Sequence, residues 1–207
     1  GILFALLSIF FCRLMHAAPK IYDRVLPNHL VRAAVGGTLV IALTYVIWIW
    51  DPGTYDYNGA GEAIIHAAIG GNARPEAFFF KMLFTTITLG AGFKGGEIVP
   101  VFFTGATFGC TVAPLLGLHP SFGAGLGMVC VFCGVPNCPI TSLLLSLELF
   151  AGDSLGLFTG QSLCLFAVCL AVSYMLSGYY GLYSEQKILY SKLRPEFIDK
   201  KANDKEI

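Results

Sequence analysis

From Ile98 to Leu147 the chain carries no Asp, Glu, Lys or Arg. This stretch is opened by a glycine-rich break, Gly90-Ala-Gly-Phe-Lys-Gly-Gly96, followed by Glu97, Ile98, Val99 and Pro100. A polar, flexible break placed before so long an uncharged run is not the pattern of a soluble core. It is how a membrane protein exposes backbone amides at depth, where they must be buried in protein or line a wet cavity.

The composition fits that class. Hydrophobic residues make up 56% and charged residues 13%, with mean hydropathy +0.70, so apolar segments of spanning length are to be expected. A spanning helix needs roughly 20 apolar residues. Ala33–Trp50 and Ser154–Ser184 are uncharged, and Ala77–Gly92 carries only Lys81. Pro114, Pro120, Pro136 and Pro139 divide the run 98–147. The expectation is an all-α, polytopic transmembrane helical protein with broken or re-entrant helices, the pattern of transporters and channels. Residues 1–12 read as the end of a helix, 13–32 as a basic loop, and 51–76 as an acidic loop with a short helix over Ala63–Ile69. The positive-inside bias puts the basic loop and the lysine-rich tail after Tyr183 in the cytoplasm. Residues 194–207 read as a polar, frayed tail.

Net charge is zero, which gives no case for a nucleic-acid partner. The apolar start at Ile2–Phe11 lacks a basic front and a cleavage site, so it is not a signal peptide. It reads as the inside of a helix, and upstream sequence is expected. The seven cysteines, 12, 110, 130, 133, 138, 164 and 169, lie in apolar surroundings. No second Cys pair or His pair completes a metal set, so they read as small buried hydrophobes and no metal is expected. No G-x-S-x-G or H-E-x-x-H is present, so the chain does not read as an enzyme and no cofactor is expected.

Gly90-Ala-Gly92-Phe-Lys-Gly95 matches the dinucleotide fingerprint letter for letter, but that motif needs a strand before it and here an apolar helix precedes it. Two readings of the break remain. The first amides of the following helix, near Ile98 and Val99, make a site for an anion. Alternatively the break is a tight helix–helix connection. Glu97 at depth costs roughly 3 kcal/mol or more unless it pairs, protonates or meets water. It pairs locally with Lys94, or it stands beside an ion path. Glu148 ends an apolar helix beginning at Pro139 and suits a solvent-reaching position. Thr141, Ser142 and Ser146 suit interhelical hydrogen bonds. Tyr183, in Gly178-Tyr-Tyr-Gly-Leu-Tyr183, belongs to an interfacial belt or aims its hydroxyl at an anion.

Three of these segments, in order, resemble the C-terminal half of the CLC family of chloride channels and proton-coupled anion antiporters. Gly96-Glu-Ile-Val-Pro100 is similar to that family's G-x-F-x-P motif. Pro139-Ile-Thr-Ser-Leu-Leu-Leu-Ser-Leu-Glu148 is similar to its proline-initiated helix, and Gly181-Leu-Tyr183 to the start of its last helix. The resemblance covers about residues 1–193 as one half of a transmembrane domain, with 194–207 as a cytoplasmic tail. It implies a homodimer in the cell membrane with one pore per subunit, moving chloride or fluoride, with protons as a possible coupled ion. It implies that the amides of Ile98 and Val99 and the Tyr183 hydroxyl hold the anion, with Glu97 beside them and Lys94, Gly96 and Pro100 as accessories. Glu97 resembles the fluoride/proton antiporter branch. Val99 departs from the threonine expected there. The family's gating glutamate belongs to the other half. A structural membrane subunit and a membrane-embedded enzyme are the competing readings.

Overall fold

The structure is a computed structural model and describes residues 1–150, 160–194 and 196–203. Eight α-helices carry it: α1 (Ile2–Val25), α2 (His29–Trp50), α3 (Glu62–Ile69), α4 (Ala77–Gly90), α5 (Ile98–Val112), α6 (Pro120–Gly134), α7 (Pro139–Phe150) and α8 (Gly160–Leu176). A 3-10 turn, Ala113–Leu116, follows α5, and two short strands, β1 (Lys187–Tyr190) and β2 (Phe197–Lys201), close the chain. Among the described residues three helices are long and apolar enough to cross a membrane: Ile2–Val25, His29–Trp50 and the α5 segment Ile98–Leu116. The expected broken-helix pattern is present. Pro120 and Pro139 each sit at a helix start, where the missing N–H has no intrahelical acceptor to lose.

The basic segment is not a loop. α1 continues through it to Val25, with Pro19 inside the helix. Ser8, Phe11, Cys12, Met15 and Ala18 are buried at helical spacing, while Arg13, Lys20 and Arg24 lie exposed. One apolar stripe docks the helix and the charges occupy the other side. The turn into α2 is capped by Asn28, whose side chain accepts from the Leu30 amide at 3.0 Å. α2 buries only Gly36 and Ile47; Tyr45, Trp48 and Trp50 are exposed toward its far end. At that end Asp51 pairs with Arg74. The Thr54 hydroxyl and then the Arg74 guanidinium hold the Asp51 carboxyl below the usual carboxylate range. The short helix expected within 51–76 is α3.

α6 is buried on every side from Gly123 to Gly134 and is the axis of the molecule. A cluster around Phe84, Phe103 and Met128 packs on one flank, one around Phe11, Met82 and Val131 on another, and one around Cys130, Phe166 and Leu170 on a third. The tightest pair is α5 with α6. A Cβ on Gly109 would overlap the Gly123 carbonyl, and a Cβ on Gly127 would overlap the Gly105 carbonyl. Gly105-x-x-x-Gly109 thus lies against Gly123-x-x-x-Gly127, the small-residue seam that lets two membrane helices approach closely.

Buried hydroxyls serve as local and cross-helix ties. Ser8 on α1 reaches the Val131 carbonyl of α6 at 3.3 Å, and Ser173 on α8 reaches the Cys130 carbonyl at 2.9 Å. Ser142 and Ser146 instead donate to carbonyls one turn back, Cys138 and Leu143. Their assignment to interhelical bonds is therefore corrected. Six of the seven cysteines are buried or partly buried and only Cys164 is exposed.

The C-terminal segment also departs from expectation. No helix starts at Tyr183, and residues 197–201 are not frayed. β1 and β2 pair antiparallel, with Ile188 opposite Lys200. The Leu182 amide donates to the Val135 carbonyl at 2.9 Å, and the Asn137 side chain donates to the Tyr180 carbonyl at 3.0 Å. Lys192 inserts toward α8, with Nζ donating to Asn137 and to Ser177 Oγ, and lying 4.2 Å from the Tyr174 ring centroid.

Candidate functional site: the helix break before α5

α4 ends in a turn that fixes how the break leaves it. The Gly92 amide donates to the Leu89 carbonyl at 3.0 Å, and Gly92 takes φ +95°, a conformation that L side chains rarely adopt. Arg32 of α2 lies over Gly92, its Nη2 3.1 Å from the place a Cβ would take. The chain then runs exposed through Lys94, Gly95 and Gly96 into Glu97, the residue before the first turn of α5.

At that turn the first bond of the helix is Val101 N to the Glu97 carbonyl, 3.3 Å. Pro100 has no N–H to give. The amides of Ile98 and Val99 donate to no acceptor among the described residues. A helix start leaves such donors free and carries about half a positive charge. Ile98 is 44% exposed, Val99 is half-buried and Pro100 is buried. The two free amides therefore sit at an accessible edge, with the proline anchoring the turn behind them.

A cavity of about 560 Å³ borders the break. Gly95, Gly96, Val99 and Pro100 form one side of it, and Lys81 and Thr85 lie on its α4 side. Lys81 is 1% exposed. Its Nζ donates to the Gly59 carbonyl at 2.6 Å and the Tyr57 carbonyl at 3.3 Å, and stands 4.9 Å from the Phe103 ring centroid. No carboxylate pairs with it among the described residues. A buried cation held only by carbonyls, a ring and a cavity favours negative charge nearby. Sequence reading noted Lys81 as the lone charge of an apolar span and gave it no role. The signal was there, since an intramembrane ionisable residue is a functional candidate by default.

Glu97 is half-buried and does not cap its own helix. It forms no ion pair with Lys94, which is exposed. His16 Nε2 lies 2.8 Å from the Gly181 carbonyl and 3.0 Å from Asn203 Nδ2. His16, on α1, therefore ties that helix to the C-terminal segment.

The predicted site residues divide accordingly. Gly96, Glu97, Ile98, Val99 and Pro100 stand together at the start of α5, and Lys94 stands in the same break without a partner among the described residues. Tyr183 is 46% exposed, in the loop between α8 and β1. Its hydroxyl has no hydrogen-bond partner among the described residues. Its segment is tied through Gly181 to His16 of α1, and no hydrogen bond among the described residues brings it to the free amides of Ile98 and Val99.

Comparison with known proteins bears on the whole arrangement. Residues 1–178 match the family model described as voltage gated chloride channel. A chloride/fluoride channel protein of Pseudomonas syringae pv. tomato is 33% identical over 196 residues, covering 93% of this chain and 41% of its own length. An H(+)/Cl(-) exchange transporter, ClcA, of Vibrio parahaemolyticus is 24% identical over 160 residues, 72% of this chain and 34% of that protein. The crystal structure of a CLC-type fluoride/proton antiporter superposes with a TM-score of 0.79 at 26% identity, over 88% of this chain and 43% of that one. The chain thus spans about two-fifths of the length of the first of these curated relatives and of the solved structure. The ordered motifs, the broken helices and these matches agree, and the chain belongs to the voltage gated chloride channel family, whose members are integral membrane proteins.

Proposed function

We propose that the complete protein moves an inorganic anion, chloride or fluoride, across the cell membrane, and that the amides of Ile98 and Val99 are its ligands in this half. The observation that carries the reading is the pair of unbonded amides at an exposed helix start, with the dipole of α5 behind them. Lys81 in the adjoining cavity adds positive potential. Such a site strips little from the protein when it takes an anion, because its donors have no other partner. The relatives described as channel and exchange transporter support both modes of flux, and proton coupling is assigned here to no residue. We place Glu97 beside the path as the titrating group and the Tyr183 hydroxyl as a further donor to the same anion. We further place the C-terminus in the cytoplasm and pair two copies through α7 and α8.

The test uses full-length protein reconstituted in liposomes. Glu97→Gln keeps the shape and removes the titration, and is expected to change anion selectivity or the pH dependence of flux with folded protein retained. Unchanged selectivity and an unchanged pH profile would take Glu97 out of the path. Bromide in an anomalous diffraction map is expected within hydrogen-bond reach of the Ile98 and Val99 amides. Bromide found only along α1's basic face would overturn the assignment of the amides.

A further inference from the structure

We propose that the α1–α2 corner holds an anionic phospholipid, its acyl chain in an apolar groove and its phosphate on Lys20 and Arg24. The groove has a volume of about 320 Å³ and is lined by Ile21, Tyr22 and Val25 of α1, Val35 and Leu39 of α2 and Ile87 of α4, among others. Its lining exposes no polar surface. Thr86 borders it, but its hydroxyl is turned to the Met15 sulfur at 3.9 Å. Ile21 is 61% exposed and Val25 66%, so the groove is open along its edge.

The charge at its rim selects the occupant. Lys20 and Arg24 are one helical turn apart on the exposed side of α1, each preceding a groove residue, Ile21 and Val25. His29 stands across the turn at the start of α2. The nearby acid is Asp23, and Arg32 takes it. Lys20, Arg24 and His29 form no ion pair among the described residues. An apolar slot ending at two unpaired cations matches a lipid that is anionic at the phosphate level, and gives a zwitterionic one no added attraction.

The position along the membrane agrees. The C-terminal segment, with Lys187, Lys200 and Lys201, is tied to the same half of α1 through His16, Gly181 and Asn203. Asp51, Asp56, Glu62 and Glu76 gather in the segment 51–76 beyond the opposite end of α2. Basic residues therefore cluster on one side of the bundle, the side that the charge bias assigns to the anionic cytoplasmic leaflet.

The experiment uses full-length protein purified in mixed micelles of equimolar phosphatidylglycerol and phosphatidylcholine, with retained lipid counted by native mass spectrometry. The wild type is expected to retain phosphatidylglycerol in excess. K20Q/R24Q is expected to lower that retention about 25-fold, on the order of fivefold for each lost cation, with phosphatidylcholine unchanged. Val35→Trp, which fills the groove, is expected to expel the lipid with the charges intact. Raising the salt concentration on the wild type should weaken phosphatidylglycerol retention, and this reading needs no variant to fold. Equal retention of the two lipids by the wild type overturns the proposal. So does retention that ignores K20Q/R24Q. Retention that survives Val35→Trp places the lipid elsewhere and likewise overturns it.

Discussion

Lys81 and Thr104 are two polar side chains inside the bundle whose energetics point in opposite directions. The Lys81 ammonium satisfies the carbonyls of Tyr57 and Gly59. Lys81→Met strands both, and a stranded buried group costs about 1–3 kcal/mol. The expected outcome is a lower melting temperature in detergent together with slower anion uptake by liposomes, while Lys81→Arg keeps the charge and most of the flux. Flux at the wild-type rate in a folded Lys81→Met protein would remove that cation from the path. Thr104 is fully buried on α5, and its hydroxyl has no hydrogen-bond partner among the described residues. Thr104→Val removes an unsatisfied oxygen at nearly constant volume. It is expected to raise stability by about 1 kcal/mol, read as a higher melting temperature. At this scale the sequence showed Glu97, Ile98 and Val99 clearly, because a carboxylate and a glycine break interrupt an apolar run. It showed Lys81 only as an exception. Its bonds to Tyr57 and Gly59 join α4 to a connection 22 to 24 residues away, and no local pattern announces that.

Among the elements, α5 and α6 set the site, because their glycine seam fixes where the start of α5 points. Gly109→Ala places a methyl against the Gly123 carbonyl, and backbone on both sides leaves no flexible side chain to yield. Overpacking of this kind costs typically 1–3 kcal/mol. The expected outcome is a destabilised protein with weakened anion binding, since the α5 amides move with the helix. Gly117→Ala, at a position with open space around it but φ +72°, is expected to cost less and to leave anion binding unchanged. Equal losses from both would show that strain anywhere near α5, rather than the seam, governs the site. The break at Pro120, the helix start at Pro139 and the short helix expected over Ala63–Ile69 were readable from proline placement and apolar patterning. The seam was not, because glycine at spacing four signals close approach only once the facing helix is known. α1 was misread for a different reason: its charges are dense in sequence but occupy one exposed side, and a helix tolerates them there. The last helix was expected from Gly181-Leu-Tyr183 alone, and the segment instead pairs as strands whose ties to Val135, Asn137 and His16 are all non-local.

For the whole molecule the open question is what covers the outer faces of α7 and α8. Ser142 and Ser146 are fully buried within the chain. The free surface of α7 is instead Ile140, 76% exposed, Leu144, 59%, and Leu147, 38%. On α8 it is Leu165, Val168 and Met175. Both stripes run at helical spacing. Lipid also solvates such leucines, so apolarity alone does not drive pairing; shape does. In a two-fold dimer a residue near the axis meets its own copy. Leu144→Cys, in a background with the exposed Cys164 changed to Ser, is therefore expected to give an oxidised dimer band in full-length protein in bilayers. Tyr45→Cys, 62% exposed on α2, is expected to give none. A band from Tyr45→Cys equal to that from Leu144→Cys would mean random collision. No band from Leu144→Cys, Ile140→Cys or Val168→Cys would place the subunit contact on another face. Because α7 begins at the Val135–Cys138 break that also holds the C-terminal segment, a dimer formed there would brace that break, and loosening it with Leu144→Trp should lower the melting temperature of the dimer while sparing the α5–α6 seam.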